Sequence, residues 1–147
     1  MIDLTQPELY FNRELSLLEF NQRVLDQAKN DALPLLDRLR FLCISCSNLD
    51  EFFEVRFSAL RQQEALGAIQ RGPDDLSASE QIRRISIRAH DLVTEQYDVL
   101  NEVLRPQLEL ESIRFLDSDS WNLNQSKLLK RYFTCLLYTS PSPRDRG

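Results

Sequence analysis

Apolar residues recur along most of this chain three and four positions apart, the period of helices packed on one face. "SLLE", residues 16–19, reads as a capping box, with Ser16 as N-cap and Glu19 reaching back to its amide. The helix it opens, over residues 17–29, carries Leu17, Phe20, Val24 and Ala28 on one face, with Leu18 and Leu25 beside them. "NDALP" closes it, and Pro34 suits the first turn of a second helix running to about residue 45. A third helix is predicted over residues 49–66, with Gly67 as its stop. Its Phe52, Phe53, Val55, Phe57 and Leu60 are more than one face needs, which puts this helix at the centre of the core.

The join between the second and third helices is "SCSNLDEFFEVR", residues 45–56. Ser45, Ser47, Asn48 and Asp50 favour caps and turns over helix interiors, so a helix break is expected there. Two caps compete for it: Asn48 with Glu51, or Ser47 with Asp50. "RGPDDLSAS" reads as a surface loop, and Ser77 with Glu80 as a second capping box. The helix beyond is the longest, reaching about residue 104 through Ile82, Ile85, Ala89, Leu92, Val99 and Val103, and Pro106 marks its expected end.

Residues 1–108 thus predict an all-α fold, a small bundle of about four helices. The character changes over residues 109–134. "LELESIRFLDSDSWN" suits a short strand or an extended connection, and "NQSKLLKRYF" one more short helix, the incomplete start of an α+β domain. Residues 135–147, "CLLYTSPSPRDRG", continue no pattern. Pro141 and Pro143 preclude a packed helix, and the segment reads as a non-native, adapter-derived or disordered tail.

Composition narrows the function classes. The 147 residues are 42% hydrophobic and 28% charged, as in a globular protein. Three glycines leave no phosphate-cradling loop of the Walker or Rossmann kind. A net charge of −5 disfavours nucleic acid as a partner. The start "MIDLTQPELYF" lacks the features of a signal peptide and no run suits a membrane span, which implies a cytoplasmic protein. Cys43 and Cys46 form a C-x-x-C pair, but no second pair or nearby histidine completes a zinc site. Cys43 lies on a mostly apolar segment, where a free thiol acts as a small hydrophobe.

The runs "YFNRELSLLEFNQRVLDQA" and "PLLDRLRFLCISCSNLDEFFEVRFSAL" keep their order and spacing across residues 10–60, and together they resemble the N-terminal domain of the long, histidine-phosphorylated bacterial polyphosphate kinases. "RFLD", "NQ" and "LLKRYF" look like the start of that family's head domain. The resemblance implies an enzyme that reversibly transfers the terminal phosphate of ATP to inorganic polyphosphate through a phosphohistidine. It also implies Mg2+ in the intact enzyme, a homo-oligomer, and possible membrane association of the whole. The catalytic histidine and the metal ligands belong to later domains, so no catalytic or metal-binding residue is expected in this chain. The one site residue carried over is Asn48, whose counterpart in "S-N-L-D-E-F" contacts adenine, making this chain one wall of the ATP pocket. The alternative is a stand-alone helical interaction module without catalysis.

The residues themselves leave choices open. Asn48 offers an acceptor and a donor to a base edge, or it caps a helix; the residues alone favour the cap and the resemblance favours the base. Asp50 and Glu51 read as first-turn acids that complement a helix dipole rather than as catalytic carboxylates. Arg38, Arg40 and Arg56 suit either phosphates or ion pairs with Asp37, Glu51 and Glu54. His90, the only histidine, lies in the long helix and matches no catalytic motif.

Overall fold

The computed structural model describes residue 3 and residues 6–67 and 72–139, with side chains as far as residue 136. These residues form helices and turns, with no strand among them. Cα packing divides the chain into two units, Met1–Ser112 and Ile113–Gly147.

In the first unit a 3-10 turn, Pro7–Leu9, leads into α1, Arg13–Lys29. The cap of α1 is Asn12, whose Oδ1 accepts from the amides of Glu14 (3.1 Å) and Leu15 (3.0 Å), so the helix starts a turn before Ser16. Asn12 is fixed from its other side, its Nδ2 donating to Asp74 Oδ2 and Gln81 Oε1. Partners distant in sequence decide between two adequate local caps.

The expected break at "SCSNLDEFFEVR" is absent. α2, Leu35–Glu51, passes through it into a π turn, Phe52–Phe57, and then α3, Ser58–Ala65, with helical dihedrals at each join. Gly67 does end this rod, at φ +64°, where its lack of a Cβ makes left-handed backbone inexpensive. α4, Ala78–Asp98, starts at Ser77, whose Oγ accepts from Glu80 N at 3.2 Å. It too continues through a π turn, Val99–Leu104, into α5, Arg105–Leu110, so Pro106 lies inside helical structure and not beyond it. The Arg105 amide bonds to Leu100 O, five residues back, and this wide turn gives the proline ring room that an α-turn denies it.

The core follows a strict three-four spacing. α1 buries Leu18, Asn21, Leu25 and Ala28; α2 buries Arg38, Leu42, Ser45 and Leu49; α4 buries Ile85, Ala89, Leu92 and Gln96. Phe52, Leu60, Val99, Leu104 and Leu108 extend it. The buried stripe of α1 is therefore rotated from the expected one, leaving Leu17 and Phe20 facing outward. The Leu17 face holds more apolar bulk, but the Leu18 face carries Asn21, which has partners on α2.

Arg38 was the least expected member of this core, at 3% exposure. Its Nε donates to Ala28 O (2.9 Å), one of the last carbonyls of α1, and its Nη1 to Gln107 Oε1 (2.8 Å) and to Asp31 (2.7 Å). It thus ties the end of α1 to α5.

The second unit contains a 3-10 turn, Ser118–Ser120, and α6, Leu123–Thr139, begun by Asn122 and Gln125 as a reciprocal cap. α6 continues past residue 134, where regular structure was expected to stop; Pro141 and Pro143 lie outside the described residues. Among the described residues no helix is long and apolar enough to cross a membrane.

Two outcomes are expected. Arg38→Ala strands the buried Ala28 carbonyl and leaves the partly buried Gln107 side chain without its donor, and should cost about 3 kcal/mol in denaturant unfolding. Separately, α1 and α4 are joined by Arg88 with Glu19 and by Lys29 with Glu95, and Lys29 also pairs with Asp26 on its own helix. The hydrogen bond from Arg88 lowers the pKa of Glu19, and that from Lys29 lowers the pKa of Asp26. Carboxylates depressed in the folded state stabilise it above their unfolded values, near 4, and lose that contribution as pH falls through the folded ones. The melting temperature should therefore decline on acidification below about pH 4.5, and a Glu19→Gln/Asp26→Asn variant should show a shallower decline.

Candidate functional site

The site is built around a polar layer that the three-four spacing places inside the bundle. Three helices each contribute one polar side chain to this layer: Asn21 from α1, Ser45 from α2 and Gln96 from α4. Asn21 Nδ2 donates to Ser45 O at 2.9 Å, and Gln96 Nε2 donates to Ser45 Oγ at 2.9 Å. These bonds explain the missing helix break. Ser45 is fully buried and its hydroxyl oxygen accepts from another helix, which holds the side chain on the core side of an unbroken helix.

Asn48 stands one turn further along α2, half-buried, and donates from Nδ2 to Asn21 Oδ1 at 3.2 Å. Both cap readings of the seam are thereby overturned, since Ser47 and Asn48 lie within a continuous helix. Asp50 and Glu51 close α2 where the chain continues as helix, so there is no free N-terminus for them to complement.

A cavity of about 450 Å³ opens beside Asn48. Its walls come from α1 (Leu17, Leu18, Phe20, Asn21) and from the α2–π–α3 rod (Asn48, Leu49, Glu51, Phe52, Val55, Arg56, Ala59). The outward rotation of Leu17 and Phe20 is what supplies its apolar side. Val55 and Arg56, both within the π turn, line the same cavity as Asn48 and Phe52. The volume is ordinary for a small-molecule site, and the lining is mainly apolar with a few polar groups. Arg56 sits at the rim, 4.0 Å from Glu14 Oε1, an ion pair too long for a hydrogen bond. A more open hollow of about 640 Å³ beside the Pro7–Leu9 turn is lined by Ser16 and Glu19 of the expected capping box but by none of the candidate site residues.

The remaining candidates lie elsewhere. His90 is exposed on α4, its Nδ1 2.6 Å from Ser86 O one turn earlier. Cys43 and Cys46 are exposed on α2, so Cys43 is not the core hydrophobe its segment suggested. Burial, and then the neighbouring Cys43 and Asp50, push the Cys46 thiol up and leave it a weaker nucleophile at neutral pH. No group of three or more potential metal-ligating side chains occurs among the described residues.

The sequence reading missed Asn21 and Gln96 because it counted only apolar positions. The signal was present: 18-21-25-28, 42-45-49-52 and 89-92-96-99 share one three-four pattern, each with a single polar member.

The helical bundle carries a mainly apolar cavity edged by the Asn21 and Asn48 amides, Glu51 and Arg56, and comparison with known proteins places the bundle in a family. The family profile of the polyphosphate kinase N-terminal domain matches residues 10–116, and the chain belongs to that family. It is 44% identical over 131 residues to the polyphosphate kinase of Pseudomonas syringae pv. tomato, covering 89% of this chain. It is 46% identical over 125 residues to that of Pseudomonas aeruginosa, covering 85% of this chain, and 45% identical over 134 residues to that of Lactiplantibacillus plantarum, covering 91%. The chain spans 18–19% of the length of these relatives. No solved structure matches it.

The polar layer makes its own prediction. Ser45→Ala leaves the buried Gln96 amide without its acceptor and should cost about 1–2 kcal/mol. Adding Gln96→Leu removes the stranded group, and urea unfolding of the double variant should show most of that loss recovered.

Proposed function

We propose that the cavity beside Asn48 is the adenine-side wall of an ATP site, and that the chain is the nucleotide-binding helical portion of an ATP:polyphosphate phosphotransferase. In this reading the intact enzyme moves the terminal phosphate of ATP reversibly to polyphosphate, through a phosphohistidine. Membership of the polyphosphate kinase family supports the reaction class, and one observation supports the site. The Asn48 side chain has one amide hydrogen engaged by Asn21, while its carbonyl and second hydrogen accept nothing from and give nothing to the described residues. That leaves an acceptor–donor edge on an apolar cavity, which suits the exocyclic amino group and adjacent ring nitrogen of adenine. Phe20, Phe52, Leu17 and Val55 offer apolar surface to the faces of the base, and Arg56 offers charge toward the ribose and phosphates.

The cavity does not fit a magnesium site. Glu51 is the one carboxylate among its lining residues, and octahedral Mg2+ takes more oxygen ligands than that, usually from phosphates and water. Nor does the lining include a histidine to carry a phosphoryl group. What this portion contributes is positioning, which together with charge neutralisation accounts for most of phosphoryl-transfer catalysis.

Titrating the isotope-labelled 147-residue chain with ATP should shift the resonances of Asn48, Phe52 and Val55. Asn48→Ala should weaken ATP binding about tenfold, while the lost bond to Asn21 costs about 1 kcal/mol of stability. Undiminished ATP binding by that variant would contradict the site. The chain alone should synthesise no polyphosphate from ATP, and detectable synthesis would contradict the assignment of the chemistry to other parts of the enzyme.

A further inference from the structure

We propose that Asn21, which has no direct part in the chemistry, is the positioning residue that sets nucleobase selectivity at this site; the inference rests on the reading of the cavity as an adenine site. The argument is one of donors and acceptors. A backbone carbonyl can only accept, so Asn21 must turn its NH2 toward Ser45 O, at 2.9 Å. Its own carbonyl oxygen is then committed toward Asn48, at 3.2 Å. Asn48 must answer with its NH2, because the flipped amide would set oxygen against oxygen. The orientation of the Asn48 amide is therefore dictated from the core, with its carbonyl and one remaining N–H left for the cavity.

The chain of dictation is anchored at its buried end. Ser45 is fully buried, Asn21 is 3% exposed, and Gln96 holds Ser45 Oγ from α4. Asn21 is nearly fully buried and its NH2 is held by Ser45, so reversing Asn48 would set two carbonyl oxygens against each other and leave the Asn21 acceptor unpaired. An exposed asparagine is free to flip and pairs equally well with a 6-amino or a 6-oxo purine. A locked one presents its acceptor in one place only and favours the amino form. Selectivity between adenine and hypoxanthine is then a property of Asn21, although Asn48 is the residue placed to touch the base.

The test uses the 147-residue chain with ATP and ITP, whose bases differ at the position this amide would read. Wild type should bind ATP about tenfold more tightly than ITP. Asn21→Leu, close to isosteric, removes the dictating groups; it should still bind ATP but bring the two nucleotides within about twofold of each other. Asn48→Ala should lose both affinity and preference. A tenfold preference retained in Asn21→Leu would overturn the positioning role and leave the site standing. Wild type that shows no nucleotide-dependent shift, or Asn48→Ala that binds like wild type, would overturn the adenine reading itself. A second measurement needs neither a variant nor a nucleotide. In free wild type the Asn48 side-chain NH2 should show restricted motion by 15N relaxation. Free reorientation of that group would overturn the lock directly.

Discussion

Every major helix of the first unit is bound to the hydrogen bonds that converge on Ser45. A leucine core tolerates sliding, since one apolar contact replaces another at little cost. A buried amide does not, because a slip of one position leaves donors and acceptors unpaired in a medium that cannot solvate them. Asn21, Ser45 and Gln96 therefore fix the register of α1 and α4 on α2. The outward rotation of α1 follows from that register, and so do the cavity and the bond between the two amides that edge it, Asn21 and Asn48. Arg38 performs a related task at the other end of α1, where it bonds a terminal carbonyl and reaches α5.

The all-α class and the approximate places of the long helices were legible from spacing alone. So were the Ser77 cap and the Gly67 stop, because their signals are local: a hydroxyl before the first turn, a residue without a Cβ after the last. The errors share one cause, which is that local preference yielded to partners far away in sequence. Ser45 and Asn48 carry turn propensity, but on this chain their side chains find α4 and α1, so the helix passes through them. Ser16 is a sound cap that lost to Asn12, which Asp74 and Gln81 hold in place. Pro106 announced a terminus, yet the wide turn before it absorbs the ring.

The candidate site was legible only in part, and for a different reason. Asn48 was picked out by resemblance, whereas periodicity alone favoured a structural cap. Its setting was hidden because the residues that orient it, Asn21 above all, are polar groups in core positions, and an apolar count skips over them. The two phenylalanines thought to belong to one central core also divide: Phe52 is buried and lines the cavity, while Phe53 packs against Phe57 at 4.9 Å on the partly buried flank.

The π turn at Phe52–Phe57 has a consequence for how this sequence can change length. A single residue inserted into an α-helix and accommodated without unravelling it produces such a turn, and removing one residue returns the segment to the ordinary pitch. The wide turn takes up the extra residue, so the helix beyond it keeps its phase whether that residue is present or removed. After such a deletion Leu60 would stay in the core and Ala59 on the cavity it now lines. The segment thus acts as slack in the rod, a place where the chain can change by one residue while Asn48 and the half that anchors it keep their faces.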